Sequence, residues 1–114
     1  MIIDYSKQTE KLIAVQGDKK RFIPIENILY IKCEGYLSII PLKDGKRIYE
    51  IKTLLKFEKE LSNFGFFRIR NNTIVNGRYI TEVDSKTDKR TVKLGEICLI
   101  VAKSRLKSFL NGIM

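Results

Sequence analysis

In the stretch Phe66-Phe67-Arg68-Ile69-Arg70-Asn71-Asn72-Thr73-Ile74-Val75-Asn76, two arginines alternate with an apolar residue and two adjacent asparagines follow. In an extended chain Arg68 and Arg70 point to the same side. Asn71 and Asn72 then fall where the strand turns. Guanidinium groups suit phosphates and guanine edges, and carboxamides suit adenine edges. Two further clusters have a similar character: the Cys33-Glu34-Gly35-Tyr36 corner and the basic run Lys103-Ser104-Arg105-Leu106-Lys107. Each lies at the end of a strand-like run. The chemistry this implies is recognition of nucleic acid rather than bond making.

The inventory points away from catalysis. The chain contains no histidine, which removes the commonest general base and the commonest metal ligand. A Ser-His-Asp triad is therefore excluded, and two cysteines without histidine do not make a structural zinc site. Gly35 and Gly45 are isolated turn glycines, not a phosphate-binding loop. The expectation is a protein with no enzymatic activity, no cofactor and no metal. Charge points the other way, toward a partner. The 114 residues carry 22 Lys+Arg against 13 Asp+Glu, a formal +9. A basic domain of this size suits nucleic acid, an anionic membrane surface or an acidic protein. No apolar run approaches the roughly 20 residues that cross a bilayer. The opening Met1-Ile2-Ile3-Asp4-Tyr5-Ser6-Lys7 lacks the pattern of a signal peptide. A cytoplasmic location is expected, with Cys33 and Cys98 reduced and buried because both sit in apolar strand-like runs.

The elements that must position these clusters are mostly short strands. Residues 1–10 have a weak pattern and read as an N-terminal segment or residual linker, with one domain over 11–114. Lys11 to Gln16 and Lys20 to Ile25 flank a Gly17-Asp18 turn, and Pro24 suits an edge strand. Leu29 to Glu34 and Tyr36 to Leu42 are broken at Gly35. Asp44-Gly45 favours a hairpin turn, with Lys46 to Ile51 returning. One segment has helical spacing: Thr53 is a good N-cap, and Leu54, Phe57, Leu61 and Phe64 form an apolar stripe. Lys56, Glu58, Lys59 and Glu60 fall on its solvent face, and Gly65 stops it. Phe66 to Arg70, Tyr79 to Asp84, Lys89 to Leu94 and Glu96 to Ala102 read as later strands. Lys103 to Leu110 reads as a short terminal helix ended by Gly112. Tyr30 and Tyr49 are expected in or beside the core.

With these residues in place, the chain resembles the LytTR-type DNA-binding domains of bacterial transcription regulators from about Ile23 to Leu110. The family shows Ile-x-x-Ile-x-Tyr-Ile, matched by Ile25-Glu26-Asn27-Ile28-Leu29-Tyr30-Ile31. A short polar corner before a tyrosine matches Glu34-Gly35-Tyr36. A Ser/Thr-Leu-x-x-x-Glu-x-x-Leu helix matches the run Thr53 to Leu61. Phe-x-Arg-Ile/Val-His-x-Ser-x-x-Val-Asn is represented by Phe66, Arg68, Ile69 and Val75-Asn76, and Ser104-Arg105 matches a Ser-Arg before a terminal helix. Where the family usually has histidine and then serine, this chain has Arg70 and Asn72, and Thr73 replaces an aromatic residue.

The resemblance implies a mainly β fold of elongated antiparallel β-sheets with one or two short α-helices. It implies that loops, not a recognition helix, enter the major groove of duplex DNA. It implies base contacts from Tyr36, Asn71 and Arg105 and backbone contacts from Arg68 and Asn72. Charge adds Lys103 and Lys107 to the backbone set, and Arg70 is a further candidate contact. Family members regulate transcription, usually as the output module of a two-component response regulator behind a receiver domain. This chain holds no receiver, so it reads as a stand-alone regulator or an excised output domain. Dimerisation on DNA is a further expectation. The residues taken without the resemblance leave two other readings open: a single-stranded RNA-binding domain stacking bases on Tyr30, Tyr36 and Tyr49, and a protein-interaction domain.

Overall fold

The computed structural model describes residues 11–114, so the expectation for residues 1–10 lies outside the described residues. Residues 11–114 form three antiparallel sheets. Strands β1 (Lys11–Gln16) and β2 (Lys19–Pro24) make a two-stranded hairpin. Strands β3 (Tyr30–Glu34), β4 (Leu37–Pro41), β5 (Arg47–Ile51), β6 (Phe66–Arg70) and β7 (Thr73–Asn76) form the central sheet in the order β5-β4-β3-β7-β6. Strands β8 (Glu82–Asp84), β9 (Thr91–Leu94) and β10 (Ile97–Ile100) form the third in the order β10-β9-β8. Helix α1 (Leu54–Leu61) connects β5 to β6, and α2 (Leu106–Ile113) closes the chain. The fold is mainly β and elongated, with principal extents of 49 × 37 × 25 Å.

The central sheet has a core on each face. On one side Leu12, Ala14 and Ile23 of the hairpin pack with Ile31, Ile40, Ile48 and Ile74 of the sheet and Leu54, Phe57 and Leu61 of α1. On the other, Ile69 and Val75 pack with Val92, Leu94, Val101 and Phe109. Burial alternates along β5, where Ile48 and Glu50 face inward. Glu50 Oε1 accepts from Val15 N–H at 3.0 Å, which ties the hairpin to the edge of the sheet. The Thr53 hydroxyl caps α1 by accepting from Lys56 N–H at 3.3 Å, and Gly65 ends the following turn at φ 77°. Only glycine takes that left-handed conformation without strain.

Several sequence expectations need correction. Strand β7 is not separated from its surroundings by any alternation. All its residues are buried, because Ile74 faces one core and Val75 the other. The run expected as a strand from Tyr79 begins as a 3-10 turn over Gly77–Tyr79, and only Glu82–Asp84 is extended. Gly112 does not end α2 but lies inside it. A Cβ there would stand 2.8 Å from the Phe67 ring, and one on Gly77 would stand 2.6 Å from the same ring. The two glycines let Phe67 pack between them. Phe64, expected in the stripe, is exposed beyond the end of α1. Cys98 is exposed, because Ile97 and Leu99 take the inward positions of β10 and Cys98 pairs with Lys93 on the outer side. Cys33 is half-buried, with Sγ 2.9 Å from Ser38 Oγ, and both thiols are free. Tyr30 packs beside the second core as expected, but Tyr49 is exposed on the outward face of β5.

Candidate nucleic-acid interface

The three polar clusters lie side by side, stitched together by backbone hydrogen bonds. Strand β3 pairs with β7, and Cys33 N–H donates to Asn72 O at 2.8 Å, just beyond the last residue pair. This joins the Gly35-Tyr36 corner to the Asn71-Asn72 turn. On the other side Ala102 N–H donates to Ile69 O at 2.7 Å. That bond sets the 3-10 turn Lys103–Arg105 beside the end of β6 that carries Arg70. The sheet ladders therefore fix the spacing of all three clusters. A cleft of about 500 Å³ opens between the first two. Tyr36, Asn71, Asn72 and the first turn of α1, including Lys56, line it.

The individual side chains differ sharply. Tyr36 is 87% exposed, an unusual position for an aromatic ring in a free domain. Arg70, Asn71, Lys103 and Lys107 are exposed, and Arg105 is half-buried. Among the described residues, the side chains of Arg70, Asn71, Lys103, Arg105 and Lys107 have no protein hydrogen-bond partner. Asn72 is half-buried, and its Oδ1 accepts from Thr73 Oγ1 at 3.0 Å. Arg68 is turned inward. Its Nη2 donates to Asn71 O at 2.7 Å and its Nε to Arg70 O at 3.3 Å. Its Nη1 lies 3.3 Å from Glu58 Oε1 of α1. A β-bulge falls between Arg68 and Arg70. Bulges re-aim side chains locally, and here the two arginines that alternation treats as equivalent end in different surroundings.

Sequence reasoning missed three residues of this region. Lys56 borders the cleft, although helical periodicity shows it only as part of a solvent face. Glu58, on the same face, holds Arg68. Arg90 sits at φ 49° and bonds Val101 O from Nε at 3.0 Å, directly ahead of the basic turn. No local signal marks an arginine for a long-range carbonyl partner.

This arrangement of three antiparallel sheets and two short helices is also that of a solved LytTr DNA-binding domain. That domain belongs to a protein from Bacillus cereus described as a methyl-accepting/DNA response regulator. The two superpose with a TM-score of 0.77 at 16% identity, covering 91% of this chain and 96% of that one. At that identity the likeness shows the fold. A comparison with curated proteins finds no match. The family model of the LytTr DNA-binding domain matches residues 18–114, and the chain belongs to this family. Among the described residues, no helix is long and apolar enough to cross a membrane.

Proposed function

We propose that this domain reads duplex DNA in a sequence-specific way and regulates transcription as the output module of a two-component response regulator in the bacterial cytoplasm. The observation that carries this reading is the stitched edge, where two backbone hydrogen bonds hold three polar clusters next to one another. Their loops enter the major groove. Tyr36, Asn71 and Arg105 meet base edges. The carboxamide of Asn71 both donates and accepts, which fits the N6/N7 edge of adenine, and the guanidinium of Arg105 fits O6/N7 of guanine. Tyr36 supplies an apolar ring with a polar tip for groove contact. Asn72, Lys103 and Lys107 meet the phosphate backbone, joined by Arg70 and by Lys56 at the side of the cleft. An upstream receiver domain and dimerisation on paired half-sites complete the reading.

The membership of the chain in a DNA-binding family supports this account. So does the charge of +9. Phosphate contact makes affinity fall with salt, because bound counterions are released. With about 4 to 6 phosphates neutralised, the log-log slope should be about −4 to −5. Fluorescence anisotropy with duplex DNA and single-stranded RNA across a salt series tests this. Tighter binding to a selected duplex with that slope is the expected result. A flat salt dependence, or a preference for RNA, would overturn it.

A further inference from the structure

Arg68 and Arg90 differ from the exposed basic residues of the interface in where their guanidinium groups point. Every nitrogen of the Arg68 head has a protein partner: Arg70 O, Asn71 O and the Glu58 carboxylate. Only 21% of its side chain is accessible. Arg90 is built to a similar plan. Its Nε donates to Val101 O at 3.0 Å and its Nη1 donates to Thr87 O. Its own carbonyl accepts from Val101 N–H at 2.7 Å. Among the described residues it is the one non-glycine with positive φ, a backbone state that side chains disfavour.

The carbonyls these arginines hold belong to particular places. Arg70 and Asn71 are themselves in the first basic loop. Val101 leads through Ala102 into Lys103–Arg105, the second. A guanidinium fork presents several donors in a fixed plane and can bond two carbonyls at once, whereas an ammonium is a single point donor on a flexible stem. A loop that must offer a side chain to a base edge gains from being held in that shape before binding.

We infer that Arg68 and Arg90 are positioning residues for base reading, each fixing the backbone of one DNA-facing loop, and that Arg68 is not a phosphate contact. The inference rests on the duplex-reading function proposed above and replaces the backbone contact expected of Arg68. Glu58 belongs to the same device, since it anchors Arg68 to α1.

Arg68→Lys and Arg90→Lys keep the charge and lose the fork. Affinity for a duplex selected with the wild type and for a scrambled duplex is measured over a salt series, and amide hydrogen exchange is measured on the free proteins. The preference for the selected duplex should fall by about tenfold or more, with scrambled binding and salt slope unchanged. Exchange should quicken at residues 70–72 in the first variant and 101–105 in the second. An unchanged preference in either variant overturns the inference for that arginine. So does Arg68→Ala weakening both duplexes equally with a slope shallower by about 1, the mark of a phosphate contact. Should Arg68→Lys fail to fold, Glu58→Ala is read the same way, a smaller fall in preference upholding the inference and none overturning it. A wild type that prefers no duplex sinks the proposed function itself. The exchange data then still decide whether the two arginines hold the loops, since quickening confined to the two loops upholds that bracing and its absence overturns it.

Discussion

Asn71 precedes the buried strand β7 and Asn76 is its last residue, and their amides do opposite things. Asn76 is 2% exposed, and both polar atoms of its amide are bonded. Its Nδ2 donates to Ile28 O at 2.9 Å, its Oδ1 accepts from Arg78 N–H at 3.1 Å, and its backbone N–H bonds Leu29 O at 3.0 Å. It fastens the end of β7 to the start of β3. Asn71 is exposed, and its backbone carbonyl, not its amide, is what the protein uses. Residue type is therefore a poor guide to role within one short motif. Burial with both amide atoms bonded marks the asparagine that builds the fold. An exposed amide on a braced backbone is the one we propose meets DNA.

Substituting the buried asparagine should have the largest effect. Asn76→Leu removes both amide bonds and leaves Ile28 O and Arg78 N–H without their partner. The expected loss is about 3 kcal/mol of stability, read by chemical denaturation. A loss below about 0.5 kcal/mol, the range of an ordinary surface change, would break the contrast. Asn71→Asp sharpens it from the other side. A turn residue tolerates Asp, so stability should move by no more than about 0.5 kcal/mol. Binding to the preferred duplex should weaken by about 1 to 3 kcal/mol, because a carboxylate cannot donate to N7 and adds charge beside phosphates. Equal affinity for wild type and Asn71→Asp would mean that the amide does not face DNA.

A subtler contrast runs along the basic turn. Arg105→Ala should cost about 1 to 3 kcal/mol on the preferred site alone. Lys107→Ala should weaken all duplexes alike, with a salt slope shallower by about 1. If Arg105→Ala weakens preferred and scrambled duplexes equally, its base-reading role is wrong.

Much of the fold was legible because its elements carry local signals. The Gly17-Asp18 and Asp44-Gly45 turns, the Thr53 cap and the stripe Leu54, Phe57, Leu61 all appear where the pattern puts them. Strand β7 was not legible because a strand buried on both faces loses the alternation that reveals strands. Gly112 was misread because its reason is a tertiary contact with Phe67, not a helix end. At the interface, the residue types at Tyr36, Asn71 and Arg105 could be picked out from the sequence. The inward turn of Arg68 could not, since it depends on Glu58 of a separate helix. Arg90 was invisible for the same reason, its partner Val101 lying on the far side of a hairpin.

The central claim is that the edge formed by residues 35–36, 70–72 and 103–107 is the surface that meets DNA. Titrating the isotopically labelled domain with a selected duplex and following each backbone amide by NMR tests it most directly. The account predicts that the largest shift changes fall in those three segments together, with little change in the β1–β2 hairpin. Changes centred on the hairpin, or confined to one of the three segments, would contradict it.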